Sequence, residues 1–234
     1  IFDYCSPVAG SLSSDIGISR VKMAGIDNYS AIGQNRYSSY LDDFTPERVF
    51  KRDAFSVRLE RNSINDSMNR KIWIDWNNDG DFADTLEMAA YEPAAKTLAF
   101  TANINVPALA AVGYTTMRIG TSYGSGNNTP CGINPTGEFE DYPLEIAIDD
   151  IKPVITLNGP ALITLEQWYQ YTELLATATD NVDGNISSSI IISSNVDSTI
   201  AATYTVRYNV TDTEGNMADE VIRTVIVTPD ITPP

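Results

Sequence analysis

The run Asp75-Trp76-Asn77-Asn78-Asp79-Gly80-Asp81-Phe82, followed by Asp84 and Glu87, holds the densest set of metal-competent side chains in the chain. Oxygen-bearing residues stand at alternate positions 1, 3 and 5, a glycine at 6 permits the sharp turn, and position 7 offers a carbonyl. This is the first half of an EF-hand-type calcium loop. The second half departs from that pattern. Position 12 is Leu86, so the acid arrives one residue late as Glu87, and Lys71-Ile72-Trp73-Ile74 before the loop reads as a strand rather than a helix. The expectation is a calcium loop between strands, with Asp75, Asn77, Asp79, Asp81 and Glu87 as ligands and Asp81 contributing its carbonyl or its carboxylate. The competing reading is an exposed acidic loop whose Asp, Asn and Gly residues only form turns, one of them capped by Glu87.

Two further groups of acids raise the same question. From Asp75 to Glu92 there are six acids and no base, and from Glu138 to Asp150 six more with no base. Carboxylates at this density repel one another unless a cation intervenes, and hard divalent ions accept oxygen ligands. If Gly137-Glu138-Phe139-Glu140-Asp141-Tyr142 is extended, Glu138 and Glu140 share one face while Phe139 and Asp141 share the other. An acid paired with an apolar neighbour needs a partner, either a cation or an arginine such as Arg118. Glu138, Glu140 and Asp141 are therefore additional candidate ligands. Asp149 and Asp150, with Asp180, Asp183 and Asp212 in predicted turns, form a third candidate set. It is read either as an interdomain calcium that stiffens a hinge or as ordinary turn residues.

Composition restricts the remaining chemistry. The chain of 234 residues has 31 acids against 15 bases, a formal charge of −16, which opposes binding to nucleic acid or to anionic membrane surfaces. It has no histidine, which removes Ser-His-Asp and Cys-His nucleophiles and His-ligated zinc. A glycosidase using Glu138, Glu140 or Asp141 needs only carboxylates, but acids adjacent in one short motif are a poor match to a pair drawn from two sides of a cleft. Tyr37, Tyr40, Trp168, Tyr169 and Tyr171 are candidate platforms for a carbohydrate or protein polymer, set against the ordinary role of alternating aromatics as core. No apolar run approaches the ~18 residues of a membrane span. The first residues lack the n- and h-regions of a secretion signal, so a signal, if the protein is secreted, lies outside this segment.

The elements that must position these groups read as strands: Phe55 to Leu59, Lys71 to Trp76, Thr97 to Val106, Thr115 to Thr121 and Tyr142 to Ile148. They are separated by Gly, Asn, Asp and Pro clusters. Asp149-Asp150-Ile151-Lys152-Pro153 has linker composition, dividing the chain into residues 1–149 and 150–234. The first part holds 20 acids and 12 bases and the second 11 and 3, so both carry −8. Strands expected in the second part are Val154 to Leu157, Leu162 to Leu165, Leu174 to Thr179, Ile190 to Ser193, Thr203 to Val210 and Val221 to Val227, a spacing that suits an immunoglobulin-like sandwich. Asp230-Ile231-Thr232-Pro233-Pro234 echoes the linker about 81 positions on, as if a further domain followed. Cys5 and Cys131 are the only cysteines; an even count and wide spacing point to one disulfide, worth ~4 kcal/mol on the chain-entropy model, rather than to a reactive or metal-bound pair.

Several of these blocks together resemble a known family. Tyr4-Cys5, Trp73-Ile74-Asp75-Trp76-Asn77 to Asp81-Phe82 with Glu87, Val106-Pro107-Ala108, Thr116-Met117-Arg118-Ile119, Pro130-Cys131-Gly132 and Gly137-Glu138-Phe139-Glu140-Asp141-Tyr142 look like a GEVED domain over residues 4–148, with Phe139 replacing the family's valine. Residues 152–228 resemble bacterial surface immunoglobulin-like domains related to HYR repeats. The segments that carry this are Pro153 to Gly159, Ala176 to Gly184 and Tyr204 to Asp212 with Gly215-Asn216; Glu166 to Tyr171 departs from the pattern. The resemblance implies an all-β chain of two tandem sandwiches, the first jelly-roll-like and the second immunoglobulin-like. It further implies a non-catalytic, extracellular accessory module of a larger bacterial protein, acting as spacer, adhesion or targeting unit. Its expected partners are further domains of the same chain and an extracellular polymer or surface protein, with no membrane insertion.

Overall fold

The computed structural model describes residues 4–11, 16–30, 36–124 and 128–231. The repeated linker is only partly covered, since Thr232 to Pro234 lie outside the described residues. The chain divides into two compact units, Ile1–Ile148 and Asp149–Pro234. It is all-β, as the sequence reading expects. The first unit runs through β1 (Pro7–Ser11), β2 (Arg20–Lys22), β3 (Asp27–Asn28), β4 (Tyr37–Ser39), β5 (Glu47–Phe50), β6 (Ala54–Glu60), β7 (Met68–Ile74), β8 (Met88–Ala95), β9 (Ala99–Asn105), β10 (Gly113–Tyr123), β11 (Gly132–Thr136) and β12 (Phe139–Ala147). The second contains β13 (Val154–Leu157), β14 (Leu162–Glu166), β15 (Ala176–Asp180), β16 (Gly184–Asn185), β17 (Ile191–Ser194), β18 (Thr203–Asn209) and β19 (Val221–Thr228).

Two sheets face each other in the first unit. One has the order β3-β2-β6-β9, and the other runs β4-β12-β10-β7-β8 with β5 also paired to β12. Alternation decides what each strand contributes to the interior. Val57 and Leu59 of β6 turn inward while Arg58 is exposed, and they meet Ile72, Ile74, Met117, Ile119, Tyr142, Leu144 and Ile146 from the larger sheet. The outer face of the larger sheet is covered as well, which explains why every residue of β7 is buried. There Ala9, Trp73, Phe82 and Phe139 make a smaller apolar cluster, with Tyr4, Tyr37 and Cys131 at its border.

In the second unit, β13 pairs with β15 and β15 with β16, while the other sheet has the order β14-β19-β18-β17 with β14 parallel to β19. Its core is Ile155, Ala176, Ala178, Val206, Tyr208, Val210, Ala218 and Val225. Arg223 is fully buried beside this core. Its Nε donates to the Pro160 carbonyl at 3.1 Å, Nη2 to the Asn158 carbonyl at 2.6 Å, and Nη1 to the Tyr208 hydroxyl at 2.8 Å and to Glu173.

Candidate metal centre

The acidic loop of residues 75–87 is the connection between antiparallel β7 and β8, so its first and last acids are held together by the sheet. The Ile74 amide donates to the Glu87 carbonyl at 2.8 Å, closing the mouth of the hairpin. Within the loop, Asp75 accepts from the amides of Asn78 (2.6 Å), Asp79 (3.2 Å) and Gly80 (2.9 Å) and from the Tyr4 hydroxyl (2.7 Å). Asn78 and Gly80 adopt positive φ, 61° and 95°, which wraps the backbone around that carboxylate. Phe82 anchors the far side by stacking on Tyr4, ring centroids 5.1 Å apart, and Trp76 donates through its indole N–H to the Leu86 carbonyl at 3.2 Å.

Carboxylate oxygens of Asp75, Asp79 and Glu87 lie within 4.8 Å of one another, as do those of Asp79, Asp81 and Asp84. Leu86 takes φ 80°, and the Glu87 that follows it is buried with its carboxylate beside those of Asp75 and Asp79. Glu87 is buried; one oxygen accepts from the Asp84 amide at 3.0 Å and the other, Oε1, has no hydrogen-bond partner. Burial pushes this carboxyl up to about 7; the Asp84 amide opposes the shift, and the charges of Asp75, Asp84 and Asp79 add to it. The Asn77 side chain donates to Asp79 and Asp84, at 2.9 and 2.6 Å, and accepts from the Asp79 amide. Asp79, Asp81 and Asp84 are exposed, so a hydrated ion can enter from that side. The donor set is all oxygen, with two buried and three exposed carboxylates, and fits calcium. Sequence reasoning omitted Asp84 and the Tyr4 hydroxyl as contributors. Asp84 belonged visibly to the acidic run, whereas Tyr4 carries no local signal.

Asp141 has a different role from the metal ligand considered in the sequence reading. Arg118 lies opposite it in the β10–β12 register and donates from Nε to Oδ1 at 2.7 Å and from Nη2 to Oδ2 at 2.6 Å, both groups being buried. The Tyr37 hydroxyl adds a bond to Oδ2 at 2.8 Å. The remaining Arg118 nitrogen donates to the carbonyls of Cys5 (2.6 Å) and Pro130 (2.8 Å), and the guanidinium packs over Phe82 and Tyr37. One arginine thus joins the acidic loop, the Glu-rich motif and the Cys5–Cys131 disulfide. That disulfide fastens the start of β1 to the start of β11, strands that pair in parallel from Pro7↔Gly132 to Ser11↔Thr136.

Glu138 and Glu140 point the other way, on the face shared with Tyr142, Leu144 and Ile146, and are 2% and 0% exposed. Gly137 makes this entry possible: at φ 133° a Cβ would stand 1.9 Å from the Thr121 carbonyl oxygen. Glu138 accepts from the Ile18 amide at 2.6 Å, and Glu140 accepts from the Tyr142 hydroxyl at 2.7 Å while its Oε1 has no partner. Burial raises Glu138 to about 8 against the pull of the Ile18 amide, with the charge of Glu140 adding to the shift. Burial raises Glu140 to about 7, opposed by Tyr142 and Ser30.

In the second unit, carboxylate oxygens of Asp149, Asp180 and Asp212 lie within 4.8 Å of one another, and Asp180 Oδ2 is buried without a partner. Asp183 instead accepts from the amide and hydroxyl of Thr213, at 2.8 and 2.7 Å, and Asp150 is exposed outside this group. Of the candidate aromatic platforms, Tyr40 packs against the core through Tyr142 and Phe44, Tyr37 is engaged with Asp141, and Tyr171 donates to Glu173. Trp168 and Tyr169 are exposed, at 68% and 65%.

Two family models match the chain. One described as "GEVED domain" covers residues 69–145, from β7 to β12, and so contains the acidic loop, Arg118, Cys131 and the Glu-rich motif. One described as "Bacterial surface protein, Ig-like domain" covers residues 155–227. No curated protein matches. Among solved structures, a lipoprotein of Bacteroides thetaiotaomicron is similar at 23% identity and TM-score 0.31, over 35% of this chain and 40% of the lipoprotein. The fibronectin(III)-like modules of Clostridium thermocellum CbhA are 13% identical over 89% of this chain and 94% of theirs, TM-score 0.30. Domains 5–6 of the S-layer protein SbsC are also 13% identical, over 80% and 95%, TM-score 0.24. The chain carries, in this order, a GEVED domain and an immunoglobulin-like domain of the bacterial surface-protein type.

Proposed function

We propose that this chain is a calcium-stabilised, non-catalytic accessory segment of a larger secreted or cell-surface protein, in which the two domains act as spacer, adhesion or targeting unit. One observation carries the calcium reading: Glu87, buried and with an unpartnered oxygen, closes on Asp75 and Asp79 at the mouth of a loop whose other acids face solvent. The same reading extends to Asp149, Asp180 and Asp212 in the second unit. The family model's description as a surface-protein domain and the disulfide support an extracellular setting. Among the described residues no helix is long and apolar enough to cross a membrane. The non-catalytic reading draws support from the Glu-rich motif, because Glu138 and Glu140 are enclosed and Asp141 is bound to Arg118, so none of these three acids faces solvent.

Calcium that binds only the folded state raises stability by mass action. The melting temperature should therefore rise between chelator and millimolar calcium, and an unchanged melting curve refutes the reading. A polymer-binding role is the second reading, favoured by the exposure of Trp168 and Tyr169. Retention on insoluble collagen or chitin that is lost in W168A/Y169A would establish it, and equal retention of both chains would exclude these residues.

A further inference from the structure

We propose that Glu138 and Glu140 hold a second divalent cation of the calcium class, inside the sandwich of the first unit and separate from the acidic loop. These two residues follow the same alternation as Tyr142, Leu144 and Ile146, so β12 and the residue that leads into it carry two carboxylates into the core. Among the described residues no Lys or Arg pairs with either one. The nearest strand-mate acid, Asp141, shows what neutralisation by arginine looks like in this sheet, and it occurs on the opposite face.

An uncompensated buried carboxylate is costly, and two of them entering one core from positions two residues apart are costlier. Glu140 Oε1 is fully buried and accepts no hydrogen bond, so it points to a missing partner rather than to a finished structural network. Two carboxylates match the charge of one divalent ion and give a neutral site, and calcium accepts carboxylate and hydroxyl oxygens at variable number.

The test is an ion count by equilibrium dialysis against calcium on the whole chain, comparing wild type, E87Q, E140Q and E138Q/E140Q. Glutamine preserves the acceptors used by the Ile18 amide and the Tyr142 hydroxyl, so these variants should fold in chelator and melt higher there than wild type. The proposal expects one ion fewer at saturation in E138Q/E140Q than in wild type, and one fewer again when E87Q is added. An unchanged count in folded E138Q/E140Q overturns it. Should that variant fail to fold, terbium bound to the E87Q chain and excited through tyrosine decides the matter. Emission that is lost on adding E140Q supports a site beside Tyr142, and emission absent from E87Q, or unchanged by E140Q, overturns it.

Discussion

Asp75 and Glu87 belong to opposite ends of one hairpin loop, yet their carboxylates converge within 4.8 Å because the Ile74 amide and the Glu87 carbonyl are bonded across its mouth. The sheet, rather than the loop, thus fixes the spacing of the two buried acids. A loop pre-formed in this way loses little chain entropy when an ion enters.

Replacing Glu87 by glutamine removes the buried charge while keeping the acceptor for the Asp84 amide. E87Q should be at least as stable as wild type in chelator and should lose the calcium-dependent gain, about 2.7 kcal/mol at a calcium concentration a hundredfold above the dissociation constant. Differential scanning calorimetry with and without calcium reads both effects.

Breaking the Arg118–Asp141 pair should be among the most damaging single changes in the first unit. D141N leaves the guanidinium buried without its counter-charge, a loss of about 3–5 kcal/mol. Guanidinium unfolding in saturating calcium checks this, and a midpoint like that of wild type would refute the role assigned to the pair.

Cys5 and Cys131 close a loop with a sequence separation of 126 residues. C5S/C131S should cost about 2–5 kcal/mol, and the non-reduced, denatured wild-type protein should show no free thiol by a colorimetric assay.

The second unit should lose stability in acid through Glu173. Burial alone would raise this carboxyl, but hydrogen bonds from Tyr171, Tyr208 and the Leu175 amide, with the charge of Arg223, hold it below the usual range. A carboxyl lowered in the folded state stabilises fully above its unfolded value and loses that contribution as pH falls through the folded one. Denaturant unfolding between pH ~5 and ~3 should show a falling limb that E173Q flattens, at the expense of lower stability at neutral pH.

Much of the architecture is legible along the chain. Val154 to Leu157 is bounded as β13, and Leu162 to Leu165, Thr203 to Val210 and Val221 to Val227 fall on β14, β18 and β19 within a residue at each end. These segments are rich in β-branched residues and lie between turn signals, and in β18 and β19 the sheet buries every second residue. Strands β2, β3 and β4 have two or three residues each, too few for any period to register. Met88–Ala95 escaped because Ala-rich sequence with a proline has weak strand character; it forms a strand because β7 offers it an edge.

The sequence by itself determined which acids could serve a cation and, through the period of an extended strand, that Glu138 and Glu140 must face away from Asp141. It could not determine which acids keep their charge free. Arg118 neutralises Asp141 because β10 and β12 pair in the register Arg118↔Asp141, a contact between residues 23 apart in the chain. Tyr4 reaches Asp75 from 71 residues away. Electrostatic interaction depends on distance and burial in three dimensions, and neither is written in the order of residues. Only the folded sheets separated the acid bonded to arginine from the glutamates left without one.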